Sequence, residues 1–372
     1  MLRVSTQRWP ALLLLATMLC LAGTGSWAES PRYQLVDLGT LGDEREQIFA
    51  RDVNDTGAVV GDARTARGHV AFIWLPERGM HEIGVRSGGH YSATAEAVNR
   101  HLAVAGASGF SEIRAPAHAF YWTPDGGMTR LDRTAAGAEF SRATDINGRG
   151  QVVGVFGTAG ADSAFLWSAD AGLRLPLRDA AAVNASRAEA INDRGQMAGT
   201  LLRDGVHHAF RWDAETGLTT LDPDSRGFHI NDQGDVAGRL DRDGESVAVI
   251  WGADGHRREL GLLDPDRRYS AAAAVNGAGV AVGRALTEGG FRAFVWTPEH
   301  GMRQLDRHLA PHGGEPVTLY GAVAVNERGV IAAFGRRQGS DRSRSFLLRP
   351  MVGPDDSRAQ EARSPAQPSR LP

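Results

Sequence analysis

The chain has 372 residues, 42% hydrophobic and 23% charged, with 46 glycines, one cysteine and a formal net charge of −3. This composition excludes a wholly disordered, collagen-like or multi-span membrane protein, and the slight acidic balance gives no reason to expect nucleic acid or an anionic membrane as partner. All 41 basic residues are arginine, and glycine at roughly twice its usual ~7% implies many tight turns and short strands.

Residues 1–28 have the three parts of a secretory leader: Arg3 and Arg8, an apolar stretch from Ala11 to Ala22, and Ser26-Trp27-Ala28 before Glu29. The apolar stretch is short of the ~20 residues of a membrane span. Cleavage after Ala28 is therefore expected, leaving a secreted chain without a span, in the periplasm or outside the cell. Cleavage would also remove Cys20, excluding disulfides, thiolate catalysis and cysteine-based metal sites. Losing Arg3 and Arg8 takes the formal charge from −3 to −5.

A strand is expected at Tyr33 to Leu38, and after it a repeat dominates residues 29–350. Asn54, Asn99, Asn147, Asn192, Asn231, Asn276 and Asn326 each follow Val or Ile, at spacings of 45, 48, 45, 39, 45 and 50 residues. Each of the first six units then places one tryptophan: Trp74, Trp122, Trp167, Trp212, Trp251 and Trp296. The third unit gives the pattern. Ala143-Thr144-Asp145-Ile146 leads into Asn147 and a turn ending on Gly150; Val152 and Val153 begin a second strand, and Ala164-Phe165-Leu166-Trp167 a third. A turn ending on Gly172 introduces a weaker fourth. Four-stranded units at this period are those of a β-propeller. The sequence thus predicts an all-β, seven-bladed β-propeller of four-stranded blades, its N-terminal strand completing the last blade and removing an exposed sheet edge. The asparagines are expected to bond their own turns, and the tryptophans to anchor the core.

The recurring Asn-x-x-Gly-x-x-x-Gly, followed by His118-Ala119-Phe120 or His208-Ala209-Phe210 and a glycine-led fourth strand, resembles the HAF-repeat family of bacterial extracellular proteins. The resemblance spans residues 33 to about 349. It implies an exported, propeller-like repeat protein of the envelope or extracellular space, with no general activity and no catalytic residue to carry over. Two departures stand out: Leu102 replaces the turn glycine of the second unit, and Ala333 the second glycine of the seventh.

Function is expected where the units differ. Five residues before the asparagine, three consecutive units carry Arg142, Arg187 and Arg226. Planar guanidinium forks suit carboxylates and phosphates, so these are the candidate ligand-binding residues, with an anionic polysaccharide or a surface protein as partner. Two residues before the asparagine, Asp52, Asp145 and His229 interrupt a mainly alanine position. They are the candidate catalytic set of an alternative reading, a polysaccharide hydrolase or lyase with a channel site. A purely structural envelope protein is the third reading. Nucleophile-elbow, zinc-helix and phosphate-loop motifs are missing, so neither cofactor nor metal is expected, and an enzyme less than a binding protein. Residues 351–372, rich in Pro, Ser, Arg, Glu and Gln, are expected to be a disordered tail.

Overall fold

The computed structural model describes residues 32–43, 46–83, 91–110, 117–132, 139–157 and 162–351; the expected leader and the expected tail lie outside them. Apart from one 3-10 turn, Leu305–His308, every regular element among the described residues is a β-strand, as expected.

The strands form six sheets, five of them four-stranded. In the third unit Phe140–Ile146, Val152–Gly157, Asp162–Ser168 and Gly172–Arg174 pair antiparallel in chain order. The units starting at Val183–Ile191, Ser225–Ile230 and Ser270–Val275 repeat this order. The eight-stranded sheet holds two such antiparallel sets, starting at Gln47–Val53 and Tyr91–Val98, joined where Gly68 and His69 run parallel to Tyr91 and Ser92. In the remaining sheet the outermost strand is N-terminal: Arg32–Asp37 pairs with Arg344–Met351, Asp37 opposite Phe346. The first strands of successive units pack side by side, and the last, Val317–Val325, also touches Gln47–Val53.

Every first strand contains a register shift at the residue three before its asparagine, as between Ala143 and Asp145 or Ala188 and Ala190. Such a bulge adds one residue, bends the strand and re-aims its side chains. Here it also explains the repeated second glycine. A Cβ on Gly154 would lie 2.0 Å from the Arg142 carbonyl oxygen, so only glycine allows the bulged backbone this close. The seventh unit has an additional shift between Leu319 and Gly321 and a close approach at Gly335, whose Cβ would lie 2.2 Å from Thr318 O, while position 333 is alanine. Leu102 adopts the left-handed φ, 61°, that glycine adopts in the equivalent turns.

The core lies between neighbouring sheets. Phe72, Phe120, Phe165, Phe210, Phe294 and Phe346 are fully buried. The tryptophans divide: Trp74, Trp251 and Trp296 are buried, while Trp122, Trp167 and Trp212 are half-buried. Where Val249 replaces the phenylalanine, Trp251 lies over Gly238 instead. Buried serines add polar links between units: Ser141, Ser186 and Ser270 accept the amides of Ala119, Ala164 and Ala248, and Ser345 accepts that of Ala50.

All seven asparagines are at most 7% exposed. Each Oδ1 accepts the amides two and four residues on, as Asn192 does from Arg194 and Gln196, which is the turn role expected of them. The side-chain amide does something further. Asn54 Nδ2 donates to Asn99 O at 2.8 Å, Asn99 to Asn147, Asn147 to Asn192, Asn192 to Asn231, Asn231 to Asn276, Asn276 to Asn326, and Asn326 back to Asn54 O at 2.9 Å. An Asn192→Ala substitution removes these bonds at once. Each orphaned buried partner costs ~1–3 kcal/mol, so urea unfolding should report a loss of about 2 kcal/mol or more. The exposed neighbour substitution Arg194→Ala should stay within ~0.5 kcal/mol; equal midpoints for the two variants would refute the role.

Candidate functional site

The first strands present two unlike ends. Where they run into the asparagine turns, a pocket of about 190 Å³ is lined by Asp52, Asp145 and His229, which come together here from alternate units, and by Asp55, Arg100, Asp193, Asp232 and Glu327. The acids at this end are engaged by the backbone. Asp52 accepts the amides of Val53 and of Val98 in the next unit, at 2.7 and 2.9 Å; Asp145 does the same for Ile146 and Ile191, both at 2.7 Å. His229 Nδ1 faces the Val275 amide at 3.5 Å. One residue past the asparagine, Asp193 accepts the Gly148 amide, Asp232 that of Asp193, Glu327 that of Gly277, and Asp55 that of Glu327. These carboxylates therefore satisfy amides that the strand ends leave pointing at a neighbouring unit.

Their protonation follows from crowding in a half-buried space. Burial raises Asp52 to about 6 against the opposing pull of its two amides. Burial first, then the charge of Asp52, raises Asp145 to about 7. Burial lowers His229 to about 4, so its imidazole is neutral near pH 7. At neutral pH the pocket thus holds a carboxyl that is partly protonated beside one that is mostly ionised.

Arg142, Arg187 and Arg226 lie toward the other end of the strands, five residues and so roughly 16 Å from the asparagines at ~3.3 Å per residue. The structure brings all three around Glu189: burial raises this carboxyl, and Arg142, Arg187 and Arg226 each oppose that shift. Two are held by acids, Arg142 by Glu96 and Arg187 by Asp162. Arg226 makes no ion pair among the described residues. Its cross-strand partner is Arg239, which donates to Tyr269 Oη at 3.1 Å and pairs with Asp241 at 3.3 Å. Arg284, in the next unit, lies 4.9 Å from the centre of the Phe291 ring and 6.0 Å from that of Tyr269. The exposed Arg284 likewise has no ion pair among the described residues, and Phe291 is 37% exposed.

Sequence patterning missed Glu96, because simple alternation does not reveal that the bulge residue three before the asparagine forms a position of its own. It also missed Arg239 and Arg284. Both stand eight residues after their asparagines in consecutive units, a signal that aligning the second strands would have exposed. Asp241 to Glu245 is a hairpin turn, with Asp243 and Gly244 both at positive φ. Among the described residues no three His, Cys, Asp or Glu side chains are grouped to hold a metal ion, and no helix is long and apolar enough to cross a membrane.

No protein-family model matches the chain, and no curated protein matches it in sequence. Among solved structures it is similar to a streptogramin B lyase, at 11% identity and a TM-score of 0.54, over 86% of this chain and 98% of that one. It is similar also to the β-propeller domain of the Trilobed protease from Pyrococcus furiosus, at 11% identity and a TM-score of 0.55, over 81% and 93%. A prolyl endopeptidase matches at 10% identity and a TM-score of 0.53, over 87% of this chain and 51% of that one. Identities this low establish the fold alone, an all-β propeller.

The raised acids carry a pH signature. A carboxyl whose folded pKa exceeds its unfolded value binds its proton more tightly when folded. Its stabilising contribution is complete below about pH 4 and is lost as pH rises through about 6 for Asp52 and about 7 for Asp145. The thermal midpoint should therefore fall between pH 5 and pH 8, and Asp145→Asn should flatten that fall. A pH dependence identical in the variant would contradict the assignment.

Proposed function

We propose that this chain is an exported, seven-bladed β-propeller of the HAF-repeat kind that binds an anionic ligand, an acidic polysaccharide above all, at the arginine end of its first strands. Seven repeats and the pairing of Arg32–Asp37 with the last strand support the blade count and the ring. One contrast carries the choice of end. The acids around the asparagine turns are occupied in accepting backbone amides, so the fold itself accounts for them. Arg226 and Arg284 form no ion pair among the described residues, and beside them Tyr269 and Phe291 offer ring faces. Guanidinium groups from consecutive units match the repeated carboxylates of a polymer better than they match one small anion.

A second reading, a polysaccharide hydrolase or lyase, rests on Asp52 and Asp145 sharing one pocket with unequal affinities for a proton. The two backbone amides held by each carboxylate weigh against it, since general acid–base work needs those oxygens free to reach substrate.

The mature protein should be retained on immobilised polygalacturonate at low salt and released as salt screens the contact. Arg142→Gln/Arg187→Gln/Arg226→Gln should abolish retention, and Arg226→Gln alone should weaken it more than either of the other single changes. Retention unaffected by the triple substitution would exclude this mouth, and shortening of the polymer by the wild-type chain would favour the second reading.

A further inference from the structure

A second cavity lies beside the sixth unit. Its volume is about 730 Å³, within the ~300–1,000 Å³ of small-molecule sites. Its walls come from three places: the connection carrying Leu263 and Asp264, the hairpin tip at Thr287 to Gly289, and the strand Gly301–Gln304 with the 3-10 turn that follows it. Arg292, Arg303 and Arg307 all line it.

None of these three arginines makes an ion pair among the described residues. Arg292 donates to the carbonyls of Gly289 and Phe291, both at 2.8 Å, which anchors it and leaves its positive charge uncompensated. The cavity's two carboxylates are oriented by other groups. Asp264 accepts the amides of Asp266 and Glu288 at 3.0 and 3.1 Å, and Glu288 is exposed at the hairpin tip. His308 also lines the space; burial first, then Arg303, lowers its pKa, so it adds a neutral imidazole. Leu263 and Met302 supply half-buried apolar surface on the same lining. The combination is a cationic wall beside an apolar one.

We infer that this cavity binds a small carboxylate carried on an apolar or aromatic body, the carboxylate taken by Arg303 and Arg307 and the body lying against Leu263 and Met302. Guanidinium groups grip a carboxylate through paired N–H donors, and the methionine thioether packs well against an aromatic ring. Its lining includes none of Arg142, Arg187 and Arg226, although Arg292 bonds the carbonyl of Phe291, whose ring lies against Arg284.

The test is calorimetric titration of the mature protein with naphthalene-2-carboxylate, its neutral amide and inorganic phosphate. The carboxylate should bind saturably and at least tenfold more tightly than the amide. Arg303→Gln/Arg307→Gln should weaken the carboxylate at least tenfold and leave the amide unchanged; Arg292→Gln provides a second variant should the double one fail to fold. The triple substitution at the mouth should leave this binding intact even where polysaccharide retention is lost, which separates the two sites. Equal affinity for carboxylate and amide, phosphate as the tightest of the three probes, or a carboxylate affinity unchanged in the variants would each overturn the inference.

Discussion

The asparagine at the end of each first strand serves two neighbours at once. Its carbonyl oxygen closes the turn of its own unit, and its amide nitrogen reaches the main-chain carbonyl of the equivalent asparagine in the next. Buried amides of this kind are costly to leave unpaired, so each unit keeps its place only while the next stands beside it. Without a disulfide to hold them, the described units rely on this hydrogen-bond relay, on the serine links and on the phenylalanines packed between sheets. Main-chain groups at the turns are thereby satisfied locally and between units by one side chain.

From that constraint follows the geometry of the first strand. To bring its asparagine to the common ring and still pair along its length with the second strand, it takes up one extra residue. The bulge fixes which neighbours can be large. A small residue, such as Ala143 or Ala188, stands before the bulge, and glycine stands across from it because the carbonyl at Arg142 or Arg187 presses 2.0 Å from where a Cβ would be. Arginine side chains at that position project away from this contact. They are therefore free to vary between Phe49, Thr94, Arg142 and Ala271 while the backbone around them stays constant.

Much of this was legible in the sequence. The asparagine spacing, the turn glycines and the aromatic third strand give an all-β repeat, because each is a local requirement that recurs in every unit. The gathering of Asp52, Asp145 and His229 could be anticipated from their common place in the repeat. Their use could not, because the amides of Val98 and Ile191 that Asp52 and Asp145 accept come from another unit, and a linear reading does not show which way a strand end points. Glu96 escaped for a related reason: a bulged residue belongs to neither face of the simple alternation. The contacts of Arg142 with Glu96 and of Arg187 with Asp162 likewise join residues 46 and 25 apart in the chain.

Asp55, Asp193, Asp232 and Glu327 share the asparagine end of the first strands with Arg100, while Arg142 and Arg187 at the other end are paired with acids and Arg226 has no ion pair among the described residues, so the pattern of charge differs between the two ends. Its field reaches beyond the contact distance of any side chain and is damped over about 8–10 Å at physiological ionic strength. For the anionic polymer proposed above, that difference would favour approach by the arginine end.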